Sequence, residues 1–218
     1  MKENLEYLKT IDTGILMDAM DGLKLQAWMY DEIIPLDPTS KIVAPAFTGQ
    51  FRYVTDPDTP AYSSYDVMDM CEPGMVLVLG GGTGERVMGG LNAMTGKFKR
   101  LAGIVTDGMT RDIDEIVEKG CPLFCAGKRF YNSTNVNTLR ITDVQIPVNC
   151  GGRLVRPGDI VFGDREGVIV IPVERIDDVV RQCKYVESCE AEMQDIFAGS
   201  RPVSDAKHIM KKKKLLAP

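Results

Sequence analysis

The pattern of apolar and polar positions changes several times along the chain, and each change predicts a different element. Apolar residues recur at helical spacing in TGILMDAMDGL, residues 13–23, where Thr13 is the predicted cap. The same spacing predicts a long amphipathic helix from Pro172 to Phe197. Residues 41–55 combine β-branched, aromatic and small side chains, which favours a strand, and a helix is predicted over residues 60–71.

Three short apolar runs in the middle of the chain stop at glycine, as is typical of buried strands. They are GMVLVLGG, AGIVTDG and CPLFCAG, in residues 74–81, 102–108 and 121–127. Helices are predicted between them, over residues 90–101 and in TRDIDEIVEKG, which has acids in its first turn and Gly120 at its end. This alternation predicts a central parallel βαβαβ unit.

Strands without intervening helices are predicted farther along the chain. LRITDVQIPV alternates apolar and polar residues, and turns at Pro157-Gly158 and DREG separate it from DIVFGD and GVIVIP. An additional, antiparallel β-layer is therefore expected. Because neither a linker nor an internal repeat is evident, we predict one α/β domain over residues 1–198, with a C-terminal helix, and a tail over residues 199–218.

Composition narrows the classes of partner and location. The 218 residues carry a net charge of -5, so nucleic acid and anionic membranes are not expected partners. The N-terminal residues lack the apolar core of a signal peptide, and no apolar run has the length of a membrane span, which predicts a cytoplasmic protein. The basic block Lys211–Lys214 is predicted to be a solvated tail. The six cysteines form no CxxC pair and are predicted to be core thiols, not zinc ligands.

The stretch VLGGGTGERVMGGLNAMTGKFKR, residues 78–100, looks like a phosphate-binding loop. The dinucleotide pattern GxGxxG is not completed in either frame, and Gly96-Lys97 is followed by Phe98 where a P-loop needs serine or threonine. A strand that ends in glycines before a helix can still present free N–H groups to an anion, and a carboxylate would suit them. The alternative is a tight connection that binds nothing.

The pair Arg111-Asp112 directly follows the strand GIVTDG, at the edge of a parallel sheet where ligands collect. A guanidinium can bind a carboxylate or carbonyl oxygen in a forked geometry, and an aspartate can hold a hard divalent cation. The alternative is structural: Asp112 caps the next helix, and Arg111 pairs with a surface acid.

The spacing of four residues resembles the signature of the RraA-like family. The frame is Gly90, twenty residues, Arg111-Asp112, two residues and Glu115. More specifically, the chain resembles its class II pyruvate aldolases, which act on 4-hydroxy-4-methyl-2-oxoglutarate and 4-carboxy-4-hydroxy-2-oxoadipate. The segments DTGILMDAMDGL, PGMVLVLGGG, GGLNA, GIVTDGMTRDIDEI and RLVRPGDIVFGDREGVIVIP follow the family's order and spacing. The resemblance implies a layered β/β/α, swivelling-domain-like fold and a homotrimer or homohexamer.

The resemblance also implies roles for the residues around the loop. The amides of Leu91 and Asn92, next to Gly90, would bind the carboxylate of a small 2-oxo acid. Arg111 would contact the pyruvyl carbonyl oxygen, and Asp112 would bind Mg²⁺ or Mn²⁺, the electron sink as a pyruvate enolate forms. The implied reaction is retro-aldol cleavage of a 4-hydroxy-2-oxo acid, with oxaloacetate decarboxylation as a side activity.

One departure from the family pattern affects this interpretation. The aldolases carry an aspartate where this chain has Gly90, and that carboxylate helps to hold metal-bound water. Glu115 is either a supporting residue of the site or a first-turn acid favoured by the helix dipole. A related decarboxylase or hydro-lyase, and a non-catalytic regulator of the ribonuclease E type, are therefore alternative functions.

Further polar residues can complete the pocket. Candidates for a neighbouring subunit's acid lie on the C-terminal helix: Glu187, Glu190 and Glu192. The segment GKRFYNSTNVN follows a strand, and it is interpreted either as a wall of the pocket or as a polar loop, with four candidate residues: Lys128, Arg129, Asn132 and Ser133.

Overall fold

The computed structural model describes residues 1–56, 58–129, 138–199 and 201–217. In these residues the helices are α1 (Lys2–Leu8), α2 (Thr13–Gly22), α3 (Ser64–Met70), α4 (Gly90–Phe98), α5 (Ile113–Lys119), α6 (Ile176–Phe197) and α7 (Ala206–Lys213). The strands are β1 (Ile34–Pro35), β2 (Ile42–Tyr53), β3 (Val76–Gly80), β4 (Gly103–Thr106), β5 (Leu123–Cys125), β6 (Leu139–Val144), β7 (Val148–Cys150), β8 (Arg153–Val155), β9 (Ile160–Asp164) and β10 (Gly167–Ile171). The chain divides into two compact units, residues 28–173 and residues 1–27 with 174–218.

A mixed sheet forms the centre of the unit of residues 28–173. Among the described residues its strand order is β1-β5-β4-β3-β2-β9-β10, and β6 also pairs with β2. Strands β2, β3, β4 and β5 run parallel, whereas β1, β6, β9 and β10 run antiparallel to their neighbours. The predicted parallel unit is confirmed as β3-α4-β4-α5-β5.

The two faces of this sheet bury different side chains, because successive residues of a strand point to opposite sides. One face carries Val76, Val78 and Val105, which share a core cluster with Val148, Cys150 and Val155 of the β7–β8 hairpin. The other face carries Leu77, Leu79 and Ile104, which share a cluster with residues of α3, α4 and α5, namely Val67, Met68, Ala93 and Ile116. Hairpin, sheet and helices therefore form the expected β/β/α layers.

The extra β-layer is smaller than the strand pattern suggested. One edge of β2 pairs with β9 through residues 42–45 and with β6 through residues 49–53, while its other edge pairs with β3. Because β2 is 12 residues long, it has room for both antiparallel partners. Strands β9 and β10 thus extend the main sheet, and the β7–β8 hairpin alone supplies the second β-layer of the described chain.

The predicted helices of the other unit are present, with corrected details. Helix α2 is capped by Asp12 and not by Thr13, because the Asp12 carboxylate accepts a 3.0 Å hydrogen bond from Ile15 N–H. The prediction that the whole basic block is solvated was wrong for Lys213, whose side chain is 11% exposed and pairs with Asp18 and Glu190. The domain boundary at residue 198 stays a prediction.

The prediction that the cysteines are core thiols is confirmed. All six cysteines are free and buried, and burial raises the pKa of Cys71, Cys121 and Cys183 to about 12. Such thiols are scarcely ionised at neutral pH, so they are poor nucleophiles and metal ligands. Within the described residues, no helix combines the length and apolar character needed to cross a membrane.

Candidate active site

Beyond β3 the chain enters the glycine-rich loop, residues 81–89, which leads into α4. The first glycines have structural reasons to be there. A side chain at Gly80 would place its Cβ 2.3 Å from the carbonyl oxygen of Asn149 in β7, and Gly81 adopts φ of +84°. Only glycine combines this close approach with this backbone geometry at little cost. The glycines at positions 80 and 81 are therefore explained by the backbone conformation and by packing against the β7–β8 hairpin.

Asp107, immediately after β4, anchors the start of this loop. Its side chain accepts hydrogen bonds from Gly82 N–H at 2.8 Å, from Gly81 N–H at 3.2 Å and from the Thr83 hydroxyl at 3.2 Å. Asp107 is 8% exposed. The amides that a phosphate would need are thus already bound to a protein carboxylate. The sequence frame that predicts the site residues omits Asp107, although its position at the end of a buried strand points to such a role.

Replacing Asp107 by alanine is expected to lower the free energy of unfolding by about 1–3 kcal/mol, because two loop amides lose their acceptor. Denaturant titration measures the loss, and hydrogen exchange at Gly81 and Gly82 should accelerate. Asp69→Ala is the matched control, since Asp69 is an exposed partner of Lys99 and its loss should cost less than about 0.5 kcal/mol. Equal stability of the two variants would contradict the anchoring role.

The N-terminus of α4 presents the amides that the family resemblance singled out. Gly90 N–H donates to Oδ2 of Asp112 at 3.1 Å, and Asn92 N–H donates to the carbonyl oxygen of Gly89 at 3.1 Å. The N–H of Leu91 has no acceptor among the described residues. The side chain of Asn92 donates to the Ser64 hydroxyl at 2.7 Å. Of the two predicted carboxylate-binding amides, that of Leu91 is therefore free within the described residues. The amide of Asn92 already donates to the Gly89 carbonyl oxygen, and it would have to share or break that hydrogen bond to bind a ligand.

Arg111 and Asp112 lie between β4 and α5, beside this helix start. Asp112 adopts a left-handed backbone conformation, with φ of +64° and ψ of +42°, which costs a residue other than glycine about 1–3 kcal/mol. Its side chain does not cap α5; Oδ2 instead accepts from Gly90 N–H and lies 3.3 Å from Nε of Arg111. Asp112 thus occupies the N-cap position of α5 without a capping bond from its side chain, and the strained turn places the carboxylate against the glycine loop.

Glu115 occupies the space above Gly90. A Cβ at residue 90 would lie 2.1 Å from Oε2 of Glu115 and 3.4 Å from Cβ of Asp112. A side chain at residue 90 is therefore incompatible with the present position of Glu115. Glu115 thus brings a carboxylate from α5 into the space that a side chain at residue 90 would need.

Two carboxylates, an arginine and a free amide thus surround the start of α4. No group of three or more histidine, cysteine, aspartate or glutamate side chains suited to a metal is found among the described residues. Asp112 nevertheless suits a small hard cation, since Mg²⁺ commonly takes only one or two protein carboxylates and completes its shell with water and substrate oxygens.

The remaining predicted residues fall in three places. Lys128 and Arg129 lie beside Thr110. Lys128 forms a parallel bridge with Thr110, and Arg129 N–H donates a 2.8 Å hydrogen bond to the Thr110 carbonyl oxygen. Asn132 and Ser133 lie outside the described residues. The three acids of α6 have partners within their own unit: Glu187 accepts from Tyr7, Glu190 pairs with Lys213, and Glu192 pairs with Arg201 and Lys212.

Comparison with protein-family models gives a match over residues 13–170, to the family described as RraA-like (Aldolase/RraA). The matched segment includes the glycine loop, Arg111, Asp112 and Glu115. The chain is also 32% identical over 203 residues to a provisionally named 4-hydroxy-4-methyl-2-oxoglutarate aldolase of Halalkalibacterium halodurans, covering 92% of this chain and 89% of that protein. It spans only 34% and 56% of the lengths of two other curated relatives.

Two solved structures share the fold. An uncharacterised protein of Pseudomonas syringae pv. tomato has a TM-score of 0.82 and 26% identity, with 95% of this chain and 94% of that chain covered. RraAS2 of Streptomyces coelicolor, described as an unusual member of the RNase ES inhibitor RraA protein family, has a TM-score of 0.73 and 27% identity, with 91% and 96% covered. Relatives of this chain thus carry both enzyme and inhibitor names.

Proposed function

This chain belongs to the RraA-like family, and we propose that it is a divalent-metal-dependent lyase that cleaves a 4-hydroxy-2-oxo acid between C3 and C4 to release pyruvate. The observation that carries the proposal is the placement of Glu115 over Gly90, beside Asp112. It supplies a carboxylate at the one position where the sequence departs from the aldolase pattern. A homotrimer or homohexamer is part of the proposal, on the family resemblance; the cytoplasmic location stays a prediction.

Asp112 is the residue that would hold Mg²⁺ or Mn²⁺ in this site, and the Glu115 carboxylate lies near it. Such an ion, when bound, withdraws electron density from a 2-oxo acid. Both carboxylates lie at the N-terminus of α4, where the helix dipole and the free amide also favour a bound anion. The protein's own contribution is to hold the substrate carboxylate and its 2-oxo group beside this pair.

The chain's other polar groups bind and orient the reacting end of the substrate. The substrate carboxylate would accept from the N–H of Leu91 and, after release from Gly89, from the N–H of Asn92. The guanidinium of Arg111 would donate to the 2-oxo oxygen, where negative charge develops as the C3–C4 bond breaks. A donor placed where charge develops stabilises the transition state more than the ground state.

Glu115 would control the proton of the reaction. Cleavage removes the proton of the C4 hydroxyl group, the C4 carbonyl forms, and the bonding pair passes to C3 to give the enolate of pyruvate. A carboxylate that holds a water molecule near C4 can accept that proton, and can return one to C3. Decarboxylation of oxaloacetate passes through the same enolate but needs no proton from a hydroxyl group.

The alternative enzyme function is a related decarboxylase or hydro-lyase, which the glycine at position 90 favours. A non-catalytic regulator is the alternative suggested by the likeness to RraAS2. An inhibitory surface, however, requires neither the strained Asp112 turn nor the carboxylate pair. These two features favour an enzyme.

The proposal is tested by measuring pyruvate release from oxaloacetate and from 4-hydroxy-4-methyl-2-oxoglutarate, each with Mg²⁺, with Mn²⁺ and with a chelator. Turnover of both substrates that stops on chelation is the expected result. Turnover of oxaloacetate alone would replace the aldolase by a decarboxylase. No turnover of either by a folded oligomer would contradict enzymatic function on these acids and favour the regulator.

A further inference from the structure

Arg86 is a second arginine beside the candidate site, in the glycine-rich loop. The loop segment around it forms a short bridge with the chain just before Arg111: Met109 N–H donates to the Glu85 carbonyl oxygen at 2.7 Å, and Val87 N–H donates to the Met109 carbonyl oxygen at 3.0 Å. In a parallel bridge the paired residues project to the same side. Arg86 therefore lies alongside Met109, two residues before Arg111.

The side chain of Arg86 is half-buried, and the described part of the chain offers it no ion-pair partner. Its Nε atom is inaccessible to solvent and makes no hydrogen bond, and none of the described residues forms an ion pair with its guanidinium. A buried donor without an acceptor costs about 1–3 kcal/mol, and more when it is charged. An anion bound in the site would remove this cost.

The charges around Arg86 are those of the candidate site. Burial lowers the pKa of Arg86, the positive charge of Arg111 lowers it further, and the negative charge of Asp112 opposes both effects. Arg111 already has Asp112 as its ionic partner, at 3.3 Å. Arg86 is consequently the one of these two arginines for which the described residues provide no contacting carboxylate.

We infer that Arg86 binds a second carboxylate, at the end of the substrate remote from the 2-oxo group, and that it selects dicarboxylic over monocarboxylic 2-oxo acids. This inference rests on the proposed function, which assigns the 2-oxo carboxylate to the amide of Leu91 and the 2-oxo oxygen to Arg111. Arg86 then binds the remaining polar group of the substrate, its second carboxylate. A guanidinium suits this task because its fork matches a carboxylate.

The test is calorimetric binding of two stable acids of equal chain length, 2-oxoglutarate and 2-oxopentanoate, to the full chain in the presence of Mg²⁺. They differ in whether the far end is a carboxylate or a methyl group. The parent protein is expected to bind 2-oxoglutarate about ten- to a hundredfold more tightly, the ratio that a hydrogen bond to a charged group provides. Arg86→Gln should reduce this ratio to within about threefold of one while leaving 2-oxopentanoate binding nearly unchanged.

The matched control is Arg165→Gln, which makes the same change of charge on the exposed turn between β9 and β10. It should retain the preference of the parent protein. A preference that persists in folded Arg86→Gln, or is absent from the parent, would overturn the role of Arg86 while the 2-oxo acid site stands. Failure of the parent to bind either acid would overturn the proposed site together with this inference.

Discussion

Replacing Arg111 by methionine is expected to lower kcat for pyruvate release from oxaloacetate by about 10²- to 10³-fold, the usual cost of removing one donor from a developing oxyanion. Methionine keeps the unbranched stem and removes the charge. Arg111→Lys should recover little of the loss, because an ammonium group lacks the forked geometry of the guanidinium. Steady-state kinetics with saturating Mg²⁺ measures the effect.

The control for Arg111 must separate catalysis from folding. Nε of Arg111 lies beside Asp112, but both side chains are partly exposed, so this ion pair should contribute less than about 1 kcal/mol to stability. Thermal unfolding of Arg111→Met should therefore stay close to that of the parent protein. A kcat within about threefold of the parent value would contradict the assigned role of Arg111.

Moving a carboxylate between two positions provides the second test. Glu115→Ala is expected to lower kcat for 4-hydroxy-4-methyl-2-oxoglutarate by about 10²- to 10⁴-fold, since it removes the group that handles the proton. Adding Gly90→Asp to that variant should restore at least about tenfold of the loss. The alanine vacates the space that Oε2 of Glu115 occupies, 2.1 Å from a Cβ at residue 90, and the aspartate returns a carboxylate there.

Two matched variants make this test specific. Gly90→Asn with Glu115→Ala has nearly the same shape without the charge, and it should remain inactive. Glu118→Ala removes an exposed acid from the same helix and should keep the parent kcat. If the aspartate and asparagine double variants are folded and equally inactive, position 90 and Glu115 do not supply equivalent carboxylates, and the explanation of Gly90 fails.

Much of the chain's local structure follows from its sequence pattern. The apolar runs over residues 74–81 and 102–108 predict β3 and β4 because a strand buried on both faces needs apolar side chains at every position. The acids at the start of α5 and the glycine after it place that helix within a residue or two. The order of strands and helices then places Arg111 and Asp112 near the carboxyl edge of the sheet.

Contacts between distant segments decided the rest. The sequence supplied Gly90 and Glu115, but only the packing of α4 against α5 shows that the carboxylate occupies the space of a missing side chain. The left-handed turn at Asp112 and the anchoring of the loop by Asp107 are likewise tertiary effects. Hydrophobic periodicity shows which side of an element is buried, because the spacing of side chains along a helix or strand is set by that element alone. It does not show which residues face each buried or polar group, and those neighbouring residues determine the chemistry of this site.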